Sequence, residues 1–266
     1  MTELELPPLG LGTANNDDPE TCAQTVVEAL DVGYRHVDTA QMYGNEAAVG
    51  DGLARSDVAR EDVVLATKVH PENLAPEDVL ASTRESLDRL GVDAVDLLYV
   101  HWPTGAYDPE TTLPAFDEVR EMGLTEHVGV SNFTPDLFEE AREILDAPIA
   151  AHQVECHPQL RQDDLRALAR EDDHHLVAYS PLARGEIFDD PVLRSIAEKH
   201  GVSVAQVCLA WGVAQESVVP IPKATGDHVA ENFAALDVDL DEDDLDRIDA
   251  IEEEHRLIDP DDAPWH

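Results

Sequence analysis

Four polar side chains of complementary chemistry stand at or just after short apolar runs of the sequence, namely Asp38, Tyr43, Lys68 and His101. A tyrosine hydroxyl, with an ordinary pKa of about 10, is a weak acid at neutral pH. A neighbouring ammonium group lowers that pKa, and a carboxylate beside the ammonium keeps the lysine charged. A histidine can hold a carbonyl oxygen in place. Together these groups could protonate a carbonyl oxygen during its reduction, and a cofactor is then required because no side chain supplies a hydride.

Each of these residues also has a structural interpretation when it is taken alone. Asp38 could cap a helix, Tyr43 could pack in the core, and His101 could be a buried, hydrogen-bonded histidine. Lys68 is harder to explain in this way, because lysine is rarely buried without a partner and the chain contains only three lysines. We therefore expect Lys68 to be functional. Lys199, within a predicted helix, has no role that the sequence reveals.

Eight strand-like apolar runs alternate with amphipathic helical runs along the whole chain. The predicted strands are 9–13, 36–39, 63–68, 95–101, 127–130, 149–154, 176–179 and 217–221. The predicted helices are 19–32, 45–55, 76–90, 111–123, 134–145, 161–171, 190–200, 203–215, 226–234 and 241–253. Strands rich in Val, Leu and Ile are typical of parallel strands covered on both faces. Eight such units in about 250 residues predict an α/β fold, a (β/α)8 TIM barrel with an additional C-terminal helix, and we expect residues 1–266 to form a single domain.

A doubly wound parallel sheet is the alternative fold. It would normally show a Gly-x-Gly-x-x-Gly turn after its first strand. The corresponding residues run Gly10-Leu-Gly12-Thr-Ala-Asn15, so the third glycine is missing. The barrel is therefore favoured, and a barrel carries its functional groups at the carboxyl ends of its strands. Besides the four residues above, those ends carry Gly12, Thr13, Thr39, Trp102, Ser131, Asn132, Gln153, Tyr179, Ser180 and Lys223.

The composition excludes several classes of function. Asp and Glu number 58 against 17 Lys and Arg, so the net charge is −41; nucleic acid is not an expected partner, because phosphate binding needs a basic surface. No apolar stretch approaches the roughly 18 residues of a membrane span, and the acidic residues 1–6 lead us to expect no signal peptide. Because the acidic residues are spread along the whole chain, we expect a salt-rich cytoplasm, as in extreme halophiles, with an ordinary acidic surface as the alternative.

The cysteine and histidine patterns do not predict a metal site. The three cysteines form no Cys-x-x-Cys pair, which favours a reducing cytosol over a disulfide framework. His152, Glu155 and His157 are close in sequence, but residues 152 and 155 of a strand face opposite ways, and no fourth ligand is apparent. The pair His174-His175 precedes a predicted strand, and we expect it to face solvent.

Five collinear motifs resemble those of the aldo-keto reductase family. They are Gly-Tyr-Arg-His-Val-Asp38-Thr-Ala-Gln-Met-Tyr43-Gly-Asn-Glu, Ala-Thr-Lys68-Val, Asp-Leu-Leu-Tyr-Val-His101-Trp102-Pro, Gly-Val-Ser131-Asn132-Phe and Ile-Pro-Lys223. The short loops and the segment Arg256-Leu-Ile-Asp-Pro are similar to the diketogluconate-reductase-like, short-loop branch. The resemblance covers nearly the whole chain. It implies a cytoplasmic, metal-free, monomeric barrel enzyme that uses NADPH to reduce small-molecule aldehydes and ketones to alcohols.

The resemblance also implies a role for each site residue. Tyr43 would be the general acid, with Lys68 lowering its pKa. Asp38 would hold Lys68, and His101 would position the substrate carbonyl. The nicotinamide would lie against Ser131, Asn132, Gln153 and Tyr179, the pyrophosphate against Ser180, Leu182 and Arg184, and the adenosine end against Lys223, Thr225, Glu231 and Asn232. The cofactor site would also include Gly12, Thr13 and His228. The substrate would contact His101, Trp102, Met42 and His70.

Two departures from the family pattern bear on specificity. His228 stands where an arginine usually contacts the 2′-phosphate, and Ala224 stands where serine is common. NADH is therefore an alternative to NADPH, although Lys223 favours a phosphate. His70 stands where tryptophan is common, and a smaller, polar side chain there favours small or hydrophilic carbonyls.

The sequence leaves two alternative functions of other classes open. A Schiff-base aldolase on the same barrel would use Lys68 as its nucleophile, which requires a neutral lysine. A regulatory, nucleotide-sensing barrel subunit would bind the cofactor and turn over slowly.

Overall fold

Residues 4–266, which the computed structural model describes, form a closed barrel of eight parallel strands. The strands are β1 (Leu11–Gly12), β2 (His36–Asp38), β3 (Val64–Val69), β4 (Val95–Val100), β5 (Thr125–Ser131), β6 (Ile149–Glu155), β7 (His175–Tyr179) and β8 (Val218–Pro220). Each strand pairs with the next one in the chain. The Gly10 N–H donates to Pro220 O at 2.9 Å, which joins β8 to β1 and closes the barrel. The predicted barrel is therefore confirmed. The expectation of no signal peptide concerns residues 1–6, of which residues 1–3 lie outside the described residues.

Ten α-helices surround the strands within the described residues. They are α1 (Pro19–Val32), α2 (Glu46–Arg55), α3 (Pro76–Leu90), α4 (Pro109–Glu121), α5 (Pro135–Ile144), α6 (Asp163–Glu171), α7 (Pro191–His200), α8 (Val204–Ala214), α9 (Asp227–Phe233) and α10 (Glu242–Asp249). Acidic residues begin several of them: Asp18 accepts the Thr21 N–H at the start of α1, and Asp241 accepts the Asp244 N–H at the start of α10. Because a helix N-terminus favours negative charge, part of the acidity stabilises the fold.

Two apolar layers bury the strands on both faces, as their composition predicts. In β4, Leu97 and Tyr99 belong to the cluster inside the barrel. Leu98 and Val100 of the same strand belong to the cluster between the strands and the helices, where Phe116 of α4 also lies. Successive strand residues point to opposite faces, so one strand contributes to both layers.

Lys199 holds the C-terminal helix to α7. Its Nζ donates to Asp241 Oδ2 at 2.7 Å and to both carboxylate oxygens of Asp244 at 2.8 Å. His200 Nε2 lies 2.7 Å from Asp244 Oδ2. Burial alone would raise the pKa of the Asp244 carboxyl, but its hydrogen bonds to Lys199 and His200 lower that pKa to about 2. The lysine without a role in the sequence is therefore structural.

Most predicted element boundaries differ from the structure by one or two residues, and the end of the last helix differs by four. The first strand comprises only Leu11–Gly12, rather than residues 9–13. The last helix ends at Asp249, rather than at residue 253. Ile251 is the last buried side chain before three exposed glutamates at 252–254, and a helix without an apolar face to bury is not sustained.

The expectation that His174 and His175 face solvent is wrong for His174, which is buried, whereas His175 is half-buried. His174 is 3% exposed and its ring stacks on Phe138 with centroids 4.5 Å apart. His175 is the first residue of β7, and its Nε2 lies 2.9 Å from the Leu4 carbonyl oxygen. Residues near Leu4 and Phe138 cover these rings, and neither contact is local in sequence.

Candidate active site

Asp38, Tyr43, Lys68 and His101 meet at the carboxyl ends of β2, β3 and β4. Lys68 Nζ lies 2.5 Å from Asp38 Oδ1, and both side chains are buried. The same ammonium donates to Thr39 O at 2.9 Å and to Tyr43 Oη at 3.3 Å. The rings of Tyr43 and His101 meet edge to face with centroids 5.7 Å apart. The four residues selected from the sequence therefore form one contiguous cluster.

Burial and charge set the protonation states of this cluster. Burial alone would lower the pKa of Lys68, but Asp38 and Tyr43 together hold it above its usual value, so the lysine is charged. Burial raises the pKa of the Tyr43 hydroxyl above its ordinary value, and the ammonium of Lys68 acts in the opposite direction. Burial, followed by the Lys68 charge, holds the pKa of His101 well below its usual range, so its ring is neutral at neutral pH.

A charged Lys68 with three acceptors is unsuited to Schiff-base chemistry. A nucleophilic lysine must lose its proton, and here Asp38, Thr39 O and Tyr43 all stabilise the protonated form. The aldolase alternative is therefore not supported.

The turn after β2 is fixed by amide side chains that the sequence analysis did not select. Gln41, which begins the short helical turn Gln41–Tyr43, accepts the His70 N–H at 2.9 Å. Asn45 Nδ2 donates to Thr13 O at 2.8 Å. These bonds hold the backbone on both sides of Tyr43, and their distant partners could not be read from local sequence patterns.

A second polar network lies next to the cluster at the ends of β5, β6 and β7. Gln153 Nε2 donates to the second carboxylate oxygen of Asp38 at 2.8 Å, and Ser131 Oγ donates to Gln153 O at 2.9 Å. Tyr179 Oη donates to Asn132 Oδ1 at 2.8 Å, while Asn132 adopts a left-handed backbone with φ of 63°. The network places amide and hydroxyl groups along one side of the rim.

A cavity of about 930 Å³ lies at this rim. It is lined by three catalytic candidates, Asp38, Tyr43 and His101; by the pocket candidates Met42 and Trp102; and by every residue predicted to contact the cofactor, namely Gly12, Thr13, Ser131, Asn132, Gln153, Tyr179, Ser180, Leu182, Arg184, Lys223, Thr225, His228, Glu231 and Asn232. Lys68 lies buried beneath the wall, and His70 is not among the lining residues. Gly12 is also needed for packing, because a Cβ there would stand 2.6 Å from Ile221 O.

Part of the cavity lining can accept negative charge. Lys223 and Arg184 are exposed in its lining, and neither forms an ion pair within residues 4–266, although the protein is strongly acidic. The N-terminal residues of α8, 203–205, also line the cavity, and the first N–H groups of a helix have no intrahelical partner and attract phosphates. In contrast to Lys223 and Arg184, His228 is already paired with an acidic residue, because its Nδ1 lies 2.9 Å from Glu231 Oε2. This donor set fits a phosphate-bearing cofactor.

Several lining residues were missed by sequence reasoning. They include Asn15, Asp17, Phe188, residues 203–205 and Ile258. The Ser203 and Gln206 capping box marks the start of α8 and is visible in the sequence, but it does not show which end of the barrel the helix faces. For Ile258, which follows the last helix, no local pattern gives a signal.

A closed barrel with an acid–base cluster at one rim and a cation-bearing cleft beside it defines a cofactor-dependent oxidoreductase acting on carbonyl groups. The sequence profile described as "Aldo/keto reductase family" matches residues 8–253. Glyoxal reductase of Bacillus subtilis (strain 168) is 38% identical over 255 residues, covering 96% of this chain and 92% of the relative. Methylglyoxal reductase DkgB of Salmonella typhi is 39% identical over 261 residues, covering 97% of both chains.

Solved structures agree with this similarity. The aldo-keto reductase MGS-M4 from a Medee basin deep-sea metagenome library superposes with a TM-score of 0.92 at 32% identity, covering 97% of this chain and 96% of that chain. The chain belongs to the aldo/keto reductase family. It is an NAD(P)H-dependent oxidoreductase that reduces carbonyl groups of small molecules, and the regulatory-subunit alternative is not supported. Among residues 4–266, no helix has the length and apolar character needed to cross a membrane.

Proposed function

We propose that this enzyme uses NADPH to reduce small, polar aldehydes and ketones, with Tyr43 as the proton donor. The observation that carries the proposal is the buried contact of Lys68 with both Asp38 and Tyr43 Oη, directly beside the large cavity. The packing of the cavity wall does not require a charged ammonium to touch a phenol. The ammonium does, however, favour the phenolate that proton donation leaves behind.

The catalytic residues divide the work of one proton transfer. Tyr43 Oη donates its proton to the carbonyl oxygen as negative charge develops there, and the charge left on the phenolate is stabilised by Lys68. Asp38 keeps Lys68 charged and in place. His101, neutral at neutral pH, donates a hydrogen bond to the same carbonyl oxygen and orients it. When bound, the reduced nicotinamide supplies the hydride to the carbonyl carbon, so the product is an alcohol.

The cofactor residues follow the length of the cavity. Ser131, Asn132 and Gln153 would hold the carboxamide of the nicotinamide, and Tyr179 would contact its ring. The backbone of 180–182, Arg184 and the N-terminus of α8 would hold the pyrophosphate. Lys223, Thr225, Glu231 and Asn232 would hold the adenosine end, with Gly12, Thr13 and His228 completing the walls. No metal ion takes part in this mechanism.

Lys223 is the basis for proposing NADPH rather than NADH. It is an exposed cation of the cavity without an acidic partner within residues 4–266, whereas His228 is paired with Glu231. The test is the ratio of kcat/KM for NADPH to that for NADH, in the wild type and in Lys223→Gln. We expect a ratio above one that falls in the variant, because the 2′-phosphate loses its cation. A clear NADH preference of the wild type would contradict the proposal.

For the substrate, we propose 2-oxoaldehydes of the glyoxal and methylglyoxal type, which two similar enzymes act on according to their names. The catalytic end of the cavity is bordered by Met42 and Trp102. His70, predicted to contact the substrate, is not among the lining residues, because it accepts the Glu72 N–H through its Nδ1; it would act only by being smaller than the tryptophan that is common at this position. The test compares kcat/KM for methylglyoxal and for a bulky aromatic ketone. A preference for the aromatic ketone would contradict this substrate class.

We further propose that the enzyme works as a single-domain monomer in a salt-rich cytoplasm. The support is the net charge of −41, because at about 1 M salt the Debye length is about 3 Å and self-repulsion is largely screened. Thermal unfolding in a KCl series is the test, with a midpoint that rises with KCl as the expected result. Equal stability in dilute buffer and in concentrated KCl would contradict the proposal.

A further inference from the structure

The last 17 residues, 250–266, contain no helix or strand, yet they are packed against the active-site rim. We refer to them as the C-terminal strap. Ile258 of the strap lines the large cavity. The ring of Trp265 contacts the ring of Trp102 with centroids 5.6 Å apart, and Trp102 follows His101 in sequence. The strap therefore forms part of the wall at the catalytic end of the cavity.

An irregular segment must be held by contacts with the rest of the chain, because it has no internal ladder of hydrogen bonds. The main anchor is Glu155, the last residue of β6, whose side chain is completely buried. Its Oε1 accepts the Leu257 N–H at 2.8 Å, and its Oε2 accepts the Ile258 N–H at 2.8 Å. One carboxylate thus binds two consecutive backbone groups of the strap, about a hundred residues away in the chain.

His157 completes the environment of this carboxylate. Its Nε2 lies 3.1 Å from Glu155 Oε1, and the histidine is also completely buried. Because an ionised carboxylate has only acceptor sites, Nε2 must carry a proton in this contact. Glu155 therefore has three donors, two of which belong to the strap. A buried carboxylate is stable only when it is paired in this way, so the carboxylate and the strap depend on each other.

We propose that Glu155 is a positioning residue for the substrate: by binding the N–H groups of residues 257 and 258, it fixes the strap and thereby sets the wall that Ile258 presents to the carbonyl compound and the packing of Trp265 against Trp102. The proposal rests on the proposed function in one respect, namely that the end of the cavity near Tyr43 is the substrate end. Glu155 does not touch the reacting atoms, so it affects substrate binding and leaves the chemical step nearly unchanged.

The first test replaces Glu155→Gln and compares it with the matched control Glu253→Gln, which removes a charge from an exposed position of the strap. In Glu155→Gln the amide group faces two N–H donors and can accept from only one of them. We expect KM for methylglyoxal to rise about tenfold with kcat within about twofold, as for a loss of ground-state positioning. The control should leave both constants unchanged.

Limited proteolysis gives a readout that does not depend on the proposed catalytic roles. Arg256 is the only trypsin site of the strap, and we expect it to be cleaved faster in Glu155→Gln than in the wild type or the control, as followed by mass spectrometry. This result holds even if Tyr43 is not the proton donor, so failure of the proposed function and failure of this inference are distinguishable.

A second pair of variants covers the case that Glu155→Gln does not fold. Leu257→Pro removes the N–H that Oε1 accepts, whereas Leu257→Ala keeps it and loses only the side chain. A higher KM in the proline variant than in the alanine variant, with similar kcat, supports the proposal. It is overturned if KM is unchanged in Glu155→Gln, if the two Leu257 variants behave alike, or if kcat falls while KM stays constant.

Discussion

Replacing Lys68 by methionine separates the structural and catalytic roles of the buried ion pair. Lys68 is 0% exposed, and its Nζ lies 2.5 Å from Asp38 Oδ1. In Lys68→Met the Asp38 carboxylate stays buried with Gln153 Nε2, at 2.8 Å, as its remaining side-chain donor. Removing one partner of a buried ion pair costs about 3–5 kcal/mol. With an unfolding entropy of about 2 cal/mol/K per residue, that loss lowers the Tm of a chain of this length by about 5–9 °C.

The double variant Lys68→Met with Asp38→Asn provides the control. It removes both charges, so no uncompensated carboxylate remains, and most of the lost Tm should return. Turnover should stay at least about 100-fold below the wild type in both variants, since no ammonium stabilises the phenolate of Tyr43. Calorimetry and steady-state turnover, both in concentrated KCl, measure the two effects. The reasoning is refuted if the single variant keeps the wild-type Tm, or if the double variant regains wild-type turnover.

Acid should destabilise the protein through buried neutral histidines. Burial lowers the pKa of His36 to about 4, of His152 to about 3 and of His174 to about 4. Below pH 6.5 the folded state therefore binds fewer protons than the unfolded state. As the pH drops from 6.5 towards 4, each of these histidines lowers the free energy of unfolding by up to about 1.4 kcal/mol for every pH unit. Chemical unfolding at pH 7 and pH 5 measures this loss, and an unchanged free energy of unfolding would contradict it. The three cysteines are buried with raised pKa values, so a thiol reagent should label the folded enzyme only after denaturant is added, and rapid labelling of native protein would be the contrary result. Cofactor affinity, measured by fluorescence titration, should increase with the KCl concentration. The reason is that the net charge of −41 repels the polyanionic cofactor more than Lys223 and Arg184 attract it, and salt screens that repulsion. A dissociation constant that rises steadily with KCl would contradict this prediction.

The barrel and its catalytic cluster could be predicted from the sequence because their signals are local. Each strand is a short apolar run, and the polar residue at its end is adjacent in sequence. Because lysine is scarce, each lysine was expected to have a role, and Lys68 and Lys223 both lie at the cavity or directly beneath its wall. Lys199 shows the limit of that argument, because its partners Asp241 and Asp244 are more than 40 residues away.

What the sequence did not reveal depends on contacts between distant segments. The burial of His174 depends on packing with Phe138, which no periodicity indicates. The path of the C-terminal strap depends on a carboxylate at position 155 meeting backbone groups at 257 and 258. The positions of the four clustered side chains, and of Met42 and Trp102 in the cavity lining, were therefore predictable, whereas the contacts that fix the C-terminal strap were not.

The central claim is that Tyr43 donates the proton, and single-turnover reduction in Tyr43→Phe tests it most directly. The measurement follows the loss of reduced-nicotinamide absorbance with enzyme in excess over cofactor, at saturating methylglyoxal. Tyr107→Phe, a tyrosine that is not among the residues lining the cavity, is the matched control. The account predicts a rate lower by about 10²–10⁴-fold in Tyr43→Phe, with cofactor affinity unchanged and the control at the wild-type rate. A wild-type rate in Tyr43→Phe would contradict it.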